Sequence, residues 1–435
     1  MLEEFGSIIE NRFPLLREQP FLLACSGGVD SMVLAHLCHR SNLQFSLAHC
    51  NFGLRGAESD ADEELVRALA HKLHLIVYVT RFDTIGYTNK HKVSIEMAAR
   101  ELRYTWFDKI MGEGQLGTLV TAHHADDNLE TFLINLSRGT GIDGLLGIPE
   151  KKDKIIRPLL QFSREQIMEF AEEEGIVWRE DKSNLDTIHL RNKIRHQIVP
   201  ILKELHPTFL RNFKNTQEYL SQSAGIASDR IEYLKTKLFQ KEGGVVKVRI
   251  DSLMALNPVG AYLHSLFKNY GFTEWNDVAG LLTANSGKEV RSNTHRLVKD
   301  RAHLLLQAIK QRTDFEFKIP EGENLLKEPI SISLETVPTM GETSKNSIFV
   351  DKDLLNFPLI VRKWRKGDWF RPFGMKGVKK VSKFFKDEKM DLIAKEEQWL
   401  LISGEDIVWI IGRRGDDRFR ITEDTRQILK IGLHQ

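Results

Sequence analysis

The stretch Ser26-Gly27-Gly28-Val29-Asp30-Ser31 lies between an apolar run at residues 21–25 and a helical pattern at residues 32–39. An apolar run too short for a helix, followed by glycines and a segment of 3.6-residue period, predicts a strand, a tight turn and a helix start. Such a turn suits an anion, because glycines let backbone N–H groups approach a phosphate and a helix N-terminus adds roughly half a positive charge. With two serine hydroxyls as further donors, the stretch predicts a phosphate site.

Asp30 is the unexpected member of this stretch, since a carboxylate beside phosphates needs a divalent cation between them. We therefore interpret Asp30 as a Mg²⁺ contact. The stretch matches neither the G-x-x-x-x-G-K-[ST] loop nor G-x-G-x-x-G. It resembles the S-G-G-x-D-S signature of the PP-loop ATP pyrophosphatases, which split ATP into AMP and pyrophosphate to adenylate a carbonyl oxygen. The structural alternative is a glycine turn with an aspartate near a helix start.

Length and composition indicate an ordinary globular chain. Its 435 residues predict two or three domains, and its 41% hydrophobic and 28% charged residues are typical of such proteins. No apolar stretch approaches the roughly 20 residues that span a bilayer, and the first residues lack a signal-peptide pattern, so we expect a cytoplasmic protein with no membrane partner. The cysteines, Cys25, Cys38 and Cys50, lie in apolar contexts and form no C-x-x-C pair, so we expect buried thiols.

Strand and helix patterns alternate over the first 180 or so residues, which predicts a doubly wound parallel sheet. Ligands bind such sheets at the carboxyl ends of the strands, so motifs at those ends should converge in space. We predict strands at residues 21–25, 45–50, 75–80 and 118–122, with helices at 32–39, 58–74 and 94–111.

Two motifs on this sheet could meet a nucleotide. His49, Asn51 and Arg55 follow the second strand, although a histidine at a strand end is more often structural. Helical spacing places Arg100 and Arg103 on the same face as Glu96. Paired guanidiniums suit a phosphate, whereas the alternative is a solvated, salt-bridged helix face.

A third motif, residues 121–131, leaves the fourth strand and enters a helix. It contains His123, His124, Asp126, Asp127 and Glu130. Carboxylates this close repel one another unless a metal or an ammonium ion lies between them, so we expect one of these cations. The structural alternative is an aspartate N-cap followed by an acidic first turn.

Together these motifs resemble the tRNA(Ile)-lysidine synthase family. The likeness is dense over the first 200 residues, thins through the middle and returns at residues 361–385. One departure is Phe52, where the family usually carries a histidine. The motifs that carry the resemblance include residues 26–31, 48–56, 100–104, 123–131, 136–145, 156–160, 180–184 and 191–196.

The resemblance implies that free L-lysine is joined to C2 of the wobble cytidine of an isoleucine tRNA with a CAU anticodon. ATP and Mg²⁺ are the implied cofactors, and the intermediate is an adenylated cytidine. Asp127 and Glu130 are candidates to hold the lysine ammonium, with Asp30 and Asp127 as metal contacts and His123 lining the pocket. The expected catalytic set is Asp30, Arg100, Arg103, His124, Asp127 and Glu130, and the expected nucleotide-binding set is Ser26, Gly27, Gly28, Val29, Asp30 and Ser31.

We predict four regions. Residues 1–185 form the PP-loop catalytic domain, 186–214 a basic helical connector, 215–310 a mainly helical tRNA domain, and 311–435 a small α+β C-terminal domain that binds tRNA. Residues 362–386 carry ten basic residues, one acid and interleaved aromatics, a composition typical of RNA binding, with a basic surface over an aromatic core as the alternative. The expected tRNA contacts are Arg191, Arg195, Arg371, Lys379, Lys380 and Lys383.

Rival functions remain open at this point. A PP-loop tRNA 2-thiolation enzyme normally needs paired cysteines, and enzymes that make NAD or GMP need no basic C-terminal region. A non-catalytic tRNA-binding protein with a relic nucleotide site is an alternative from another class. A homodimer is an expected assembly that the sequence does not decide.

Overall fold

The computed structural model describes residues 1–180, 190–309, 315–342, 344–375 and 377–434. The chain forms two compact units, Met1–Asp229 and Arg230–Gln435. Within the described ranges, no helix combines the length and the apolar character needed to cross a membrane.

The first unit contains the predicted doubly wound sheet, with strand order β3-β2-β1-β4-β6-β5. All neighbouring strands are parallel except β5, which runs antiparallel to β6. The strands are β1 (Phe21–Ala24), β2 (Phe45–Asn51), β3 (Val77–Arg81), β4 (Leu119–Val120), β5 (Lys151–Lys152) and β6 (Ile155–Ile156). The four predicted strands are confirmed, with small differences in their ends.

Helices cover the sheet and continue beyond it. They are α1 (Leu2–Arg12), α2 (Leu15–Glu18), α3 (Val29–Arg40), α4 (Ala57–Lys72), α5 (Thr84–His91), α6 (Ile95–Glu113), α7 (Ala125–Arg138), α8 (Ile142–Leu145), α9 (Arg164–Glu173), α10 (Leu190–Lys193), α11 (Val199–Leu205) and α12 (Phe209–Leu238). A 3₁₀ turn forms at Pro158–Gln161, and a π-helical turn at Ile194–Ile198 joins α10 to α11.

The central strand of the sheet is part of the hydrophobic core. β1 is almost entirely buried because helices lie on both faces of the sheet, so it is a continuous apolar run rather than an alternating one. Phe21 of β1 stacks on Phe45 of β2, with ring centroids 5.6 Å apart. Cys25 and Cys38 are buried as expected, and Cys50 is half-buried.

The middle region is mainly helical, as expected, but it also holds a five-stranded antiparallel sheet. The sheet order is β7-β8-β11-β10-β9. Its strands are β7 (Gln240–Glu242), β8 (Val245–Arg249), β9 (Glu289–Arg291), β10 (His295–Asp300) and β11 (His303–Ala308). The helices here are α13 (Ile250–Met254), α14 (Val259–Phe267) and α15 (Trp275–Gly280), with a 3₁₀ turn at Lys268–Tyr270.

The C-terminal region is α+β, as expected. Two sheets, ordered β12-β16-β19-β20-β21 and β13-β14-β22-β15, pack around Trp409, and a short β17-β18 pair lies beside them. The strands are β12 (Phe317–Ile319), β13 (Leu325–Leu326), β14 (Ser331–Val337), β15 (Ser347–Asp351), β16 (Leu359–Lys363), β17 (Trp369–Phe370), β18 (Lys379–Lys380), β19 (Trp399–Ser403), β20 (Asp406–Ile410), β21 (Arg414–Gly415) and β22 (Ile428–His434). The helices are α16 (Val381–Asp387) and α17 (Leu392–Glu396), with 3₁₀ turns at Lys352–Leu354 and Asp417–Phe419.

Candidate active site

The glycine loop is shaped by its own serines. The Ser31 hydroxyl accepts a hydrogen bond from the Ser26 backbone N–H at 3.1 Å and donates one to the Gly28 carbonyl at 2.9 Å. Gly27 has a φ of +91°, a conformation that favours glycine. Gly28 is the N-cap of α3, so the positive end of the helix dipole opens onto the loop. The Ser31 hydroxyl is therefore bonded to the loop backbone. The backbone N–H groups of the loop are left as the donors to an anion.

Asp30, in the first turn of α3, faces two partners that come from distant parts of the chain. Arg164 Nη1 lies 3.1 Å from Asp30 Oδ2 and 3.3 Å from Oδ1. His124 Nε2 lies 3.7 Å from Asp30 Oδ1. The contact with His124 brings together the first and third motifs, as the sheet topology predicted. Arg164 was not predicted, because the Ser163-to-Gln166 sequence signals only a capped helix start.

His124 is the N-cap of α7, and not an aspartate as the structural alternative expected. Its Nδ1 accepts a hydrogen bond from the Asp127 backbone N–H at 3.4 Å, while Asp127 Oδ2 accepts one from the His124 N–H at 3.2 Å. Because Nδ1 accepts this hydrogen bond, Nε2 is the ring nitrogen that carries a proton. That nitrogen faces the carboxylates of Asp30, at 3.7 Å, and Asp127, at 3.5 Å.

His123 lies at the same strand end, with Nδ1 2.9 Å from the Thr121 hydroxyl. Burial lowers the pKa of His123 to about 4, and the positive charge of the buried Arg157 acts in the same direction against the opposing effect of Asp127. His123 is therefore neutral at pH 7 and can line a pocket without adding charge.

Asp127 and Glu130 share the guanidinium of Arg195. Arg195 Nε lies 2.6 Å from Glu130 Oε1, and Arg195 Nη2 lies 3.0 Å from Glu130 Oε2 and 3.2 Å from Asp127 Oδ1. Arg191 Nε adds a contact of 3.3 Å to Glu130 Oε2. The closely spaced carboxylates predicted a cation between them. In this structure two arginines of the chain itself, Arg191 and Arg195, supply that positive charge.

The two carboxylates differ electrostatically. Burial raises the pKa of Glu130 above its ordinary value, although Arg195 opposes the shift. Burial also acts to raise the pKa of Asp127, but His124, His123 and the His124 N–H outweigh it, so the net pKa is lowered. Asp127 is therefore the firmer anion and Glu130 the better proton acceptor.

Arg195 lies in the π-helical turn Ile194–Ile198, and Arg191 lies in α10 just before it. A single π turn inside a helical segment is often found at a functional site. We expected both residues to contact tRNA from a basic connector. The structure brings their guanidiniums to the acidic cluster, where Arg191 also donates to the Thr131 hydroxyl at 2.8 Å, and their contact with tRNA stays a prediction.

A separate cavity of about 920 Å³ lies on another side of α7. Ala125 and Asn128 line it, but Asp30, His124, Asp127 and Glu130 do not. Within its lining, Asn128 donates a hydrogen bond to the Gln217 side-chain carbonyl at 2.7 Å. We place the chemistry at the sheet edge because the loop, the imidazole and the carboxylates converge there.

Comparisons with known proteins agree with this geometry. Family models match residues 2–202 (PP-loop domain), 240–309 (TilS substrate binding domain) and 359–431 (TilS substrate C-terminal domain). The tRNA(Ile)-lysidine synthase of Parabacteroides distasonis is 39% identical over 441 residues, with 100% of both chains covered. That of Bacteroides thetaiotaomicron is 40% identical and covers 97% of each chain.

The chain belongs to the tRNA(Ile)-lysidine synthase family. It is an enzyme of that type, with an ATP-using PP-loop domain. Among solved structures, the U34-tRNA thiolase NcsA from Methanococcus maripaludis is similar at 17% identity and a TM-score of 0.41, covering 50% of this chain and 80% of that one.

His49 and Asn51, in the last residues of β2, have structural partners. His49 is buried, and its Nδ1 lies 2.9 Å from the Cys25 carbonyl, which ties β2 to the strand that carries the loop. Asn51 donates to Glu63 at 3.0 Å and to Asp60 at 3.1 Å. The structural alternative therefore accounts for His49 and Asn51.

Phe52, which differs from the usual histidine of the family, contacts a residue of α6. The guanidinium of Arg103 lies 5.1 Å from the centroid of the Phe52 ring, and that of Arg100 lies 4.8 Å from the Tyr104 ring. Each guanidinium lies over the face of an aromatic ring. Because both arginines are exposed, the guanidiniums remain accessible to a ligand.

The basic stretch at residues 362–386 belongs partly to the core of the C-terminal region. Phe370, Phe384 and Phe385 are buried in one cluster, so the alternative of an aromatic core holds for them. Trp369 and Phe373 remain exposed, at 42% and 44%. The predicted tRNA contacts Arg371, Lys380 and Lys383 are also exposed.

Lys379 differs from the other three predicted contacts. It is half-buried, and its Nζ lies 2.8 Å from an Asp387 oxygen. It also lies 5.5 Å from the centroid of the Phe384 ring.

One further motif that carries the resemblance, at residues 180–184, falls mostly outside the described residues, which do not include 181–184.

Proposed function

We propose that this enzyme performs its reaction in two steps at the edge where β1 and β4 end. The cytidine is first adenylated, and lysine then displaces AMP to give lysidine. The observation that carries the proposal is the convergence of the glycine loop, Asp30, His124 and the Asp127–Glu130–Arg195 cluster. The substrates proposed are ATP, L-lysine and an isoleucine tRNA with a CAU anticodon.

In the first step, the C2 oxygen of cytidine attacks the α-phosphorus of ATP. A bond forms between them, and the bond from the α-phosphorus to the bridging oxygen breaks, so that pyrophosphate carries away the electron pair. The loop N–H groups and the N-terminus of α3 are suited to hold this anion. Arg100 and Arg103 are proposed to neutralise phosphate or to cradle the base.

Magnesium fits this site only in partnership with ATP. Among the described residues, no group of three or more Asp, Glu, His or Cys side chains is arranged to hold a metal. Asp30 and Asp127 both face His124 Nε2, however, and Mg²⁺ is typically bound by one or two carboxylates together with phosphates and waters. When bound, the ion would neutralise charge on the phosphates.

In the second step, the lysine side chain must attack as a neutral amine, although its pKa in water is roughly 10.4. We propose that Asp127 and Glu130 together hold the ammonium and that Glu130, with its raised pKa, accepts the proton. The nitrogen then bonds to C2, the C2–O bond breaks, and AMP leaves with that oxygen. Arg195 must share both carboxylates with the incoming amine.

The chemistry can be tested on the product itself. The enzyme is incubated with ATP, Mg²⁺, lysine and the isoleucine tRNA, and the digested nucleosides are identified by mass spectrometry. We expect lysidine with the wild type and none with Asp30→Ala. Unmodified cytidine with a folded wild-type enzyme and all substrates would refute the proposal. Cytoplasmic location and a homodimeric state remain predictions of the same proposal.

A further inference from the structure

Arg164 lies at the glycine loop, where its sequence context did not predict it. The proposed reaction gives it no role. Its Nη1 lies within 3.3 Å of both carboxylate oxygens of Asp30, the residue that the reaction requires to face magnesium and phosphate. A guanidinium bound to that carboxylate is therefore also beside the proposed pyrophosphate site.

The backbone of Arg164 is held firmly. Its N–H donates to Asp126 Oδ2 at 2.8 Å, and the other oxygen of this buried aspartate lies 2.6 Å from Lys203 Nζ. The preceding residue, Ser163, caps α9 in a reciprocal pair with Gln166. With the main chain fixed in this way, any movement of Arg164 is confined to its side chain.

The side chain is free to move in a way that the backbone is not. It is 37% exposed, and its partner Asp30 is 27% exposed, so water can replace either contact. An ion pair this exposed contributes little to stability. A phosphate offers an arginine a stronger, bidentate and more highly charged partner than one carboxylate does.

We propose that Arg164 is a catalytic residue that exchanges partners during the reaction. It neutralises Asp30 before nucleotide binds, and when magnesium and ATP arrive it leaves Asp30 and donates to the β- or γ-phosphate. The negative charge that appears on the departing bridging oxygen is then stabilised by Arg164. This inference rests on the proposed function, because it assigns the loop to pyrophosphate.

A second ion pair between the same two helices supplies the control. Arg40, at the end of α3, pairs with Glu174, the C-cap of α9. Arg164 and Arg40 thus join α3 to α9 at opposite ends, and both side chains are about equally exposed, at 37% and 43%. Arg40→Ala removes a comparable pair far from the loop.

The test measures binding of inorganic pyrophosphate and of AMP, each with Mg²⁺, by titration calorimetry on the full chain. We expect Arg164→Ala to weaken pyrophosphate binding by about 10-fold to 100-fold and to leave AMP binding unchanged. Arg164→Lys should fall between it and the wild type, because one charge is kept and the planar fork is lost. Arg40→Ala should bind both probes as the wild type does.

Two results would overturn the inference: pyrophosphate affinity unchanged in Arg164→Ala, or an equal loss of AMP affinity. Thermal unfolding of each variant identifies a loss caused by misfolding, in which case Arg164→Lys decides. The proposed function fails separately, if wild-type enzyme forms no lysidine while Arg164→Ala still shows the selective loss of pyrophosphate binding.

Discussion

Both carboxylate oxygens of Glu130 accept hydrogen bonds from the guanidinium of Arg195, at 2.6 Å from Nε and 3.0 Å from Nη2. The two residues are 65 positions apart, and the contact fastens the π-helical turn to α7. Because Glu130 is only 1% exposed, its charge depends on this partner. The cluster is therefore arranged as a cation site that an arginine fills, and we propose that the lysine ammonium enters it.

We predict that Glu130→Gln raises the apparent KM for lysine at least 10-fold while changing that for ATP less than 3-fold, estimated from the loss of about one charge-assisted hydrogen bond. The variant should also unfold more easily, by about 1 to 3 kcal/mol, because Arg195 loses a charged partner. Steady-state kinetics and urea unfolding measure the two effects. An unchanged KM for lysine would remove Glu130 from the lysine site and leave it the role of orienting Arg195.

Asp30→Ala and Ser31→Ala should abolish adenylation for different reasons. Asp30→Ala removes the carboxylate beside the phosphates, whereas Ser31→Ala removes the two hydrogen bonds that hold the loop. The stability cost of the serine change should be about 1 kcal/mol. Both variants should bind tRNA as the wild type does, which filter binding measures. Adenylation at the wild-type rate in either one would contradict the assignment.

The pKa of His123, lowered to about 4, predicts a pH dependence of stability. The unfolded state takes up a proton near pH 6.5 and the folded state does not, so this contribution is complete above pH 6.5 and is lost as the pH falls toward 4. His123→Asn should therefore lose about 2 kcal/mol less than the wild type between pH 7 and pH 5.

Urea unfolding at the two pH values measures this difference. His71→Asn, a change at an exposed histidine of α4, is the control and should follow the wild type. If the free energy of unfolding falls equally in His123→Asn and in the wild type, His123 takes up its proton in the folded protein between pH 7 and pH 5.

Replacing Arg371, Lys379, Lys380 and Lys383 with Ala should weaken tRNA binding and flatten its salt dependence. Each phosphate contact contributes roughly 0.7 to 0.9 to the slope of log K against log salt. Lys379 pairs with Asp387, so we expect a slope change of about 2 to 3 from the other three residues. Lys379→Ala alone should have little effect, and saturating tRNA should restore much of the rate.

Affinity measured at several salt concentrations decides this prediction. If the fourfold variant keeps the wild-type affinity and slope, these residues only solvate a surface. The exposed residues of the basic connector, such as Arg211, then become the better candidates for tRNA contacts.

The catalytic sheet could be predicted because its central strands β1, β2 and β4 are largely buried and are bounded by turns and helix starts, so their pattern is local. The sheet of the middle region could not. β10 carries charged residues such as Lys299, which is nevertheless only 9% exposed. The two-residue turn between β10 and β11 uses Arg301, at a φ of +47°, where a hairpin usually signals itself with Asn-Gly.

The site residues were predictable as types but not as partners. His124, Asp127 and Glu130 stand together on α7, so helical spacing alone predicts a cluster. Arg195 and Arg164 reach that edge from 65 and 134 positions away from their partners, and such contacts are set by tertiary packing. The basic connector therefore contains two arginines, Arg191 and Arg195, whose contact with the acidic cluster its composition did not indicate, while its binding to RNA stays a prediction.

Pyrophosphate release, measured with the full enzyme and each substrate omitted in turn, tests the central claim most directly. We predict sustained release only when ATP, the isoleucine tRNA and L-lysine are all present, and a single turnover at most when lysine is left out, because adenylated tRNA then accumulates. Sustained release without tRNA, or with tRNA but without lysine, would contradict the account of a cytidine activated by adenylation and captured by lysine.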